Sequence, residues 1–379
     1  MFVDEEAEGI KCVTSFHSAA MSADRRVALI VGYTGIVGSA LAVRLARNGW
    51  RVYGLARSAS TPITADGIHT VTADLTDKDA VTSALARLTD VTHVFLTFWS
   101  RQPTEAENCA VNSSMVRNVL VSLPVAPVHV ALITGLKHYL GPFESYATIG
   151  GLETPLRESM PRVPGLNFYY DQEDVVFTLA AERGFRWSVH RPHTVIGLGL
   201  GHAMNMGVTL AVYASICREV GRPFTFPGSL QQWNSLTDMT EAKQLANHIE
   251  WAATTPAATN EAFNIVNGDV FRWRFMWRDI AGYFGLSAAP FPESPSPLVV
   301  QMADDAPIWR DIATRNGLVQ PDINRLASPW HTDADLGRPV EVVTDMSKSR
   351  ALGFNGYVST SAAFFALFDE LRAARVIPA

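Results

Sequence analysis

The sequence predicts an α/β fold in which a doubly wound parallel sheet is completed by a smaller, mainly helical C-terminal substrate-binding region. Three observations predict it. From Arg25 onward, short β-branched runs alternate with helical stretches, the pattern of a parallel sheet covered on both faces. A glycine-rich turn, Gly32-Tyr33-Thr34-Gly35-Ile36-Val37-Gly38, follows the first run directly and opens the first helix. Beyond residue 197 the alternation fades and the chain becomes rich in aromatics, with seven of its nine tryptophans after residue 180.

Val27 to Val31 is an unbroken apolar run and reads as the first buried strand. Arg51 to Ala56, His69 to Ala73, His93 to Phe98 and Val128 to Thr134 read as the next four, with helices beginning near Ile36, Asp77, Glu105 and Tyr170 between or after them. Arg186 to Val195 reads as a sixth strand, and Phe263 to Val266 as a seventh that returns to the sheet after an excursion. Pro290, Pro292, Pro295 and Pro297 mark an extended linker or lid, because each lacks a backbone donor and disfavours helix at the residue before it.

With 379 residues, 47% of them hydrophobic and 18% charged, the chain can bury a sizeable core and is too apolar for disorder. A net charge of -6 lacks the basic footprint of a general nucleic-acid binder, so no nucleic-acid partner is expected. The longest apolar region, Val27 to Val43, is interrupted by three glycines and ends at Arg44. A membrane span needs about twenty predominantly apolar residues, so no membrane partner is expected either. Cys12, Cys109 and Cys217 are odd in number and far apart, which argues against a disulfide framework and a CxxC metal site and for a cytoplasmic location. Asp4, Glu5, Glu6 and Glu8 place acid where a signal peptide has its basic region, and residues 1–24 read as a flexible extension.

The glycine turn has GxxGxxG spacing between a strand and a helix, the context of a dinucleotide-binding turn. Gly32 permits the tight turn, Gly35 lets the backbone approach a pyrophosphate and Gly38 lets the helix pack close to the sheet. The helix N-terminus, with Thr34, Ile36 and Val37 around it, supplies free N–H groups for the anion. The sheet is therefore of Rossmann type, with residues 25–197 as its cofactor-binding core and 198–379 as mostly substrate-binding chain from which 263–267 return to the sheet.

An NAD-preferring site places Asp or Glu at the end of the second strand to accept from the ribose 2′-OH. Here that position reads Ala56-Arg57-Ser58. Arg57 can bind a 2′-phosphate through its planar fork, with Ser58 or Ser60 donating a further hydrogen bond, so NADPH/NADP+ is the expected cofactor. Asp74 and Leu75, after the third strand, lie where an acidic side chain can reach the adenine amino group, although Asp74 can equally cap the helix near Asp77. Thr97, Pro192 and Val195, at strand ends, complete the expected cofactor wall.

None of the nine tyrosines has lysine four residues on: Tyr169 is followed by Glu173 and Tyr170 by Asp174. The Tyr-x-x-x-Lys pair, in which lysine lowers the phenol pKa, is therefore absent. Three other motifs stand out: Ile133-Thr134-Gly135-Leu136-Lys137-His138-Tyr139, Gly141-Pro142-Phe143-Glu144-Ser145-Tyr146 and Asn167-Phe168-Tyr169-Tyr170-Asp171-Gln172-Glu173-Asp174. Together with Trp187-Ser188-Val189-His190-Arg191-Pro192, Asn260-Glu261-Ala262-Phe263-Asn264 and Asn267-Gly268-Asp269-Val270-Phe271, they closely resemble the motifs of the progesterone 5β-reductase and iridoid synthase-like family, an atypical branch of the extended short-chain dehydrogenases/reductases. The resemblance covers most of the chain from Arg25 onward.

The resemblance implies NADPH-dependent reduction of a carbon–carbon double bond conjugated to a carbonyl, with Lys137 and Tyr169 in the catalytic roles and in contact with the cofactor. The expected substrate is a small apolar enone, with self-association as a homodimer left open. Phe143, Tyr146, Met204, Met206 and Trp233 are candidate substrate-wall residues, and Asn112 occupies the place of a structural asparagine. His190 and His193 lack further ligands and read as structural or cofactor-adjacent, so no metal is expected. One departure separates the chain from the family pattern: His193-Thr194-Val195-Ile196 follow the proline where a small residue and asparagine stand, so substrate preference is not carried over. The alternative functions are carbonyl reduction or epimerisation on the same fold, or NADP(H) sensing without catalysis.

Overall fold

Val27–Val31 (β1) is apolar throughout because it is covered on both faces, and it lies inside the sheet with Arg51–Ala56 (β2) on one side and His93–Leu96 (β4) on the other. The computed structural model describes residues 26–58, 67–146, 150–199 and 204–379. Ile68–Thr72 (β3) flanks β2, while His129–Ile133 (β5), Arg186–Pro192 (β6) and Glu261–Ile265 (β9) continue beyond β4, giving the order β3-β2-β1-β4-β5-β6-β9 with every pair parallel. Val195–Ile196 (β7) and Thr240–Glu241 (β8) form a separate two-stranded ladder.

Helices cover both faces. On one side, Leu29, Val31, Leu55, Val94, Leu132 and Val189 meet Lys78–Leu85 (α2), Glu105–Ser122 (α3) and Phe168–Arg183 (α5). On the other, Ala28, Ile30, Val52, Phe95 and Ala131 meet Ile36–Arg47 (α1) and Ala242–Thr254 (α8). Polar caps set where these helices begin. Asp77 accepts from the N–H groups of Asp79 and Ala80, Thr104 and Glu107 form a reciprocal capping box, and Asn167 accepts from Tyr169 N–H. The last cap moves the start of α5 to Phe168, two residues before the expected Tyr170.

Two strand ends are also corrected. The fourth strand stops at Leu96, and the sixth stops at Pro192 rather than Val195. Proline has no N–H for a further ladder bond, and the next two side chains are drawn away from the sheet. His193 bonds Asp238 at 2.7 Å and Thr194 bonds Asp335 at 2.6 Å.

The short helix Lys137–Leu140 (α4) follows β5. The C-terminal half contributes Met206–Val220 (α6), Leu230–Asn234 (α7), Trp273–Tyr283 (α9), Leu298–Gln301 (α10), Ala306–Asn316 (α11), Pro329–Leu336 (α12), Ser347–Ala351 (α13) and Thr360–Ala373 (α14). Its aromatics build a core around α6 rather than a substrate wall: Trp277 stacks on Phe224 with centroids 4.1 Å apart, and Trp309, Phe364 and Phe368 are buried with them. The proline-rich stretch is extended, with Phe291 packed on Trp233 at 5.6 Å. The expected extension, residues 1–24, and Ser60 lie outside the described residues.

Candidate active site

A cavity of about 650 Å³ opens at the C-terminal ends of β1, β4 and β5, where the strand order reverses and doubly wound sheets hold ligands. Gly32, Thr34, Gly35, Ile36 and Val37 line it, as do Arg57, Asp74, Leu75, Thr97, Lys137, Tyr169, Pro192, Val195, Tyr146 and Met204. The motifs expected to bind cofactor and substrate thus converge on one space.

The turn is shaped for close backbone approach. Gly32 has φ +84°, and a Cβ there would lie 2.9 Å from Phe98 Cβ. A Cβ on Gly38 would lie 2.2 Å from the Gly32 carbonyl oxygen and 2.7 Å from Thr97 Oγ1, so this glycine supports the turn from behind rather than lining the cavity. Gly35 is the N-cap of α1 without a side-chain cap, and no acidic residue occupies the first helical turn. Uncapped N–H groups and the positive end of the helix dipole therefore meet the cavity, which fits a pyrophosphate.

Arg57 is exposed at the end of β2 on the cavity wall, and Ser58 is exposed beside it. Asp74 does not cap α2, since Asp77 does. It accepts instead from Thr76 N–H and Oγ1 at 2.9 and 2.8 Å, and these hydrogen bonds, with Arg57 nearby, hold its carboxyl below the usual range.

At the other end, the Lys137 ammonium is buried and donates to both oxygens of Glu105 at 2.8 Å. Glu105 Oε1 also accepts from Phe168 N–H at 2.9 Å, at the start of the helix that carries Tyr169. One carboxylate on α3 therefore ties the lysine to the tyrosine's helix. Burial pushes the lysine pKa down while Glu105 works against it, and burial followed by the Glu105 charge pushes the Tyr169 phenol up. Gly135 makes room for that phenol, since a Cβ there would stand 3.3 Å from Tyr169 Oη. Tyr170 takes a different part: its hydroxyl donates to His138 O at 2.6 Å and accepts from Val163 N–H at 2.9 Å.

The separate sequence motifs form one buried network. Asn167 Nδ2 donates to Lys137 O at 2.8 Å, Arg191 donates to Glu173 at 3.3 Å and to Tyr139 Oη at 3.2 Å, and Tyr139 donates to Asn264 at 2.7 Å. Asn112 Oδ1 accepts from Ser100 N–H at 2.7 Å, and its amide donates to Ser100 O and Asn108 O, fixing the loop after β4. His190 faces His248 across 2.9 Å in the core, whereas His193 borders the cavity. Among the described residues, no group of three or more His, Cys, Asp or Glu side chains is placed to hold a metal ion.

The substrate end differs from expectation. Met206 begins α6, which is buried along the run from Met206 to Cys217, so its side chain joins the C-terminal core. Trp233 packs on Phe226 at 5.0 Å and on Phe291 and likewise leaves the cavity wall. The side chain of Phe143 lies outside the described part of the structure. Trp99, Ser100, Arg101, His331, Asp335 and Arg338 line the cavity instead. Sequence reasoning missed His331, Asp335 and Arg338 because α12 and the loop after it reach the site from far beyond the Rossmann motifs, and it missed Trp99, Ser100 and Arg101 because they follow β4 in a loop without a recognisable motif. Glu105 was missed as a site residue for a simpler reason: it reads as an ordinary first-turn acid of α3.

The PRISE-like Rossmann-fold domain matches residues 63–378. The chain is 40% identical over 364 residues to "(S)-8-oxocitronellyl enol synthase CYC2" of Camptotheca acuminata, covering 93% of each chain. It is 39% identical over 366 residues to "3-oxo-Delta(4,5)-steroid 5-beta-reductase" of Arabidopsis thaliana, again covering 93% of each. Among solved structures, the UDP-glucose 4-epimerase of Thermus thermophilus in complex with NAD superposes with a TM-score of 0.62 at 17% identity, over 92% of this chain and 99% of that one, a likeness of fold. Among the described residues, no helix is long and apolar enough to cross a membrane. The chain belongs to the progesterone 5β-reductase and iridoid synthase-like family, on a PRISE-like Rossmann fold.

Proposed function

We propose that this chain is an NADPH-dependent oxidoreductase that reduces the activated C=C bond of small α,β-unsaturated carbonyl compounds. The observation that carries the reading is the placement of Tyr169, its hydroxyl over Gly135 and its helix tied through Glu105 to Lys137, in the cavity that begins at the dinucleotide turn. The names of the two relatives support it, one describing an enol synthase and the other reduction of a steroid double bond next to a ketone. Arg57 at the end of β2, in place of an acid, supports NADPH over NADH.

When bound, NADPH would supply a hydride for the β-carbon of the enone and be left as NADP+. The two electrons of that hydride form the new C–H bond, while the double-bond pair moves toward the carbonyl oxygen as an enolate. Tyr169, kept protonated by burial, donates a hydrogen bond to that oxygen as the charge develops. The α-carbon then takes a proton from water, giving the saturated carbonyl. Lys137, buried on the same cavity wall and paired with Glu105, is held in one position, and through Glu105 it is tied to the start of the helix that carries Tyr169.

The test is NADPH consumption with a panel of small enones by the wild-type chain and by Tyr169→Phe. Consumption that needs the enone and falls sharply in the variant supports the reading. Absence of enone-dependent consumption across the panel, or an unimpaired variant, overturns it.

A further inference from the structure

The part of the cavity formed by α12 and the loop after it is charged, unlike the apolar wall of Phe143, Tyr146, Met206 and Trp233 that the sequence led us to expect. Arg338 is 3% exposed yet lines the cavity. Its Nε donates to Asp335 O at 2.9 Å and one terminal nitrogen donates to His193 Nε2 at 3.0 Å. The other terminal nitrogen stands 3.7 Å from Asp335 Oδ1, outside hydrogen-bond distance, while the second Asp335 oxygen accepts from Thr194 at 2.6 Å. Among the described residues that nitrogen has no closer acceptor, so on the cavity wall it can take one from a ligand.

The fork is also held in advance. Arg338 can only donate, so His193 Nε2 is the acceptor and His193 Nδ1 carries the proton given to Asp238 at 2.7 Å. Asp238 is fully buried and accepts from Thr344 N–H at 2.7 Å. A chain from carboxylate through imidazole to guanidinium therefore fixes one edge of Arg338 and leaves the other for the cavity. Burial opposes ionisation of Asp335, but Arg338 and the Thr194 hydroxyl outweigh it and keep that carboxyl charged. Arg101 adds a second guanidinium at the same end, its Cζ 4.4 Å from the Trp330 ring centroid. Its acidic neighbour, Glu144, lies 3.7 Å away and is mostly solvated. Burial pushes His331, on the same wall, toward its neutral form.

We propose that this wall is a subsite for a carboxylate, with Arg338 as its main ligand and Arg101 beside it, so that the enone accepted by the cavity carries an acid group on its chain. The assignment of an enone rests on the function proposed above; the carboxylate subsite rests on the side chains of this wall. Guanidinium and carboxylate match as fork to fork, and the hydrogen bonds are strengthened by charge in a site largely shielded from water.

The test uses the full-length chain loaded with NADP+ and calorimetric titration with saturated keto acids of increasing chain length, beginning with levulinate, each compared with its methyl ester. At one or more lengths the acid is expected to bind about tenfold or more tighter than its ester. That preference should collapse in Arg338→Met and be partly kept in Arg338→Lys. Because the readout is a ratio within each protein, general weakening of a variant cancels, and the wild-type comparison stands even if Arg338→Met does not fold. Esters that bind as well as acids at every length, or an acid preference unchanged in Arg338→Met, overturn the proposal. Turnover of the corresponding unsaturated keto acids separates the two readings: acid binding without NADPH consumption keeps the subsite and removes the enone reductase, whereas enone reduction without acid preference does the reverse.

Discussion

Glu105 grips the Lys137 ammonium with both carboxylate oxygens at 2.8 Å and, through one of them, the Phe168 N–H that precedes Tyr169. A lysine one helical turn from a tyrosine lowers the phenol pKa, but here the lysine is neutralised by its own partner and burial pushes the phenol up. Tyr169 is therefore suited to donating a hydrogen bond rather than to losing its proton.

Tyr169→Phe removes that single donor. Loss of one donor to a developing oxyanion typically lowers kcat by about a hundredfold to a thousandfold, and a change of that order is expected with the Kd for NADPH nearly unchanged. Steady-state kinetics with equilibrium NADPH titration check it. A variant within a factor of about two of wild type in kcat contradicts the assignment.

Glu105→Gln should lower kcat by about tenfold, and Glu105→Asp should recover part of the loss. The pH profile distinguishes a positioning role from a fold defect. Burial already depresses the Lys137 pKa and Glu105 counteracts it, so removing the carboxylate lowers that pKa further. The alkaline limb of kcat/KM should then move to lower pH. An unmoved limb would show that the lysine charge does not depend on Glu105.

Arg57→Ala should cut kcat/KM for NADPH by about tenfold to a hundredfold, the scale of a charge-assisted hydrogen bond, while leaving NADH turnover nearly constant. Parallel assays with the two cofactors give the ratio. Equal losses for both would remove the 2′-phosphate role from Arg57.

Buried histidines make stability depend on pH. Burial pushes His138 and His248 down from 6.5 to about 3, and His190 well below 6.5. Below pH 6.5 the unfolded chain takes up protons that the folded chain refuses, so stability falls as pH drops from there toward about 3. Between about pH 7.5 and about pH 5.5 His138 and His248 should each contribute a loss on the order of 1 kcal/mol. Urea unfolding at the two pH values measures the sum, and His248→Gln should reduce it. A slope of zero or of opposite sign contradicts the buried, neutral assignment.

The sheet was legible because parallel strands covered on both faces must be apolar throughout, and the turn was legible because its glycines sit where a Cβ collides: 2.2 Å at Gly38 and 2.9 Å at Gly32. Lys137 and Tyr169 could be singled out from their motifs, and the structure shows why the motifs occur together: Asn167, Glu173, Tyr139, Arg191 and Asn264 link them in one buried network. The far wall was not legible. Met206 and Trp233 are apolar in the right stretch of chain, but helix α6 is buried around most of its circumference and takes its aromatic neighbours into its own core. Arg338 and His331 come from a short helix and loop whose local sequence carries no periodicity that points to the cavity.

The most direct test of the central claim is the fate of deuterium carried on the transferred position of NADPH and given to the wild-type chain with a small enone, followed by NMR of the product. Hydride addition to the β-carbon predicts a saturated carbonyl with deuterium at that carbon. An allylic alcohol with deuterium at the former carbonyl carbon would contradict the account and assign the site to carbonyl reduction.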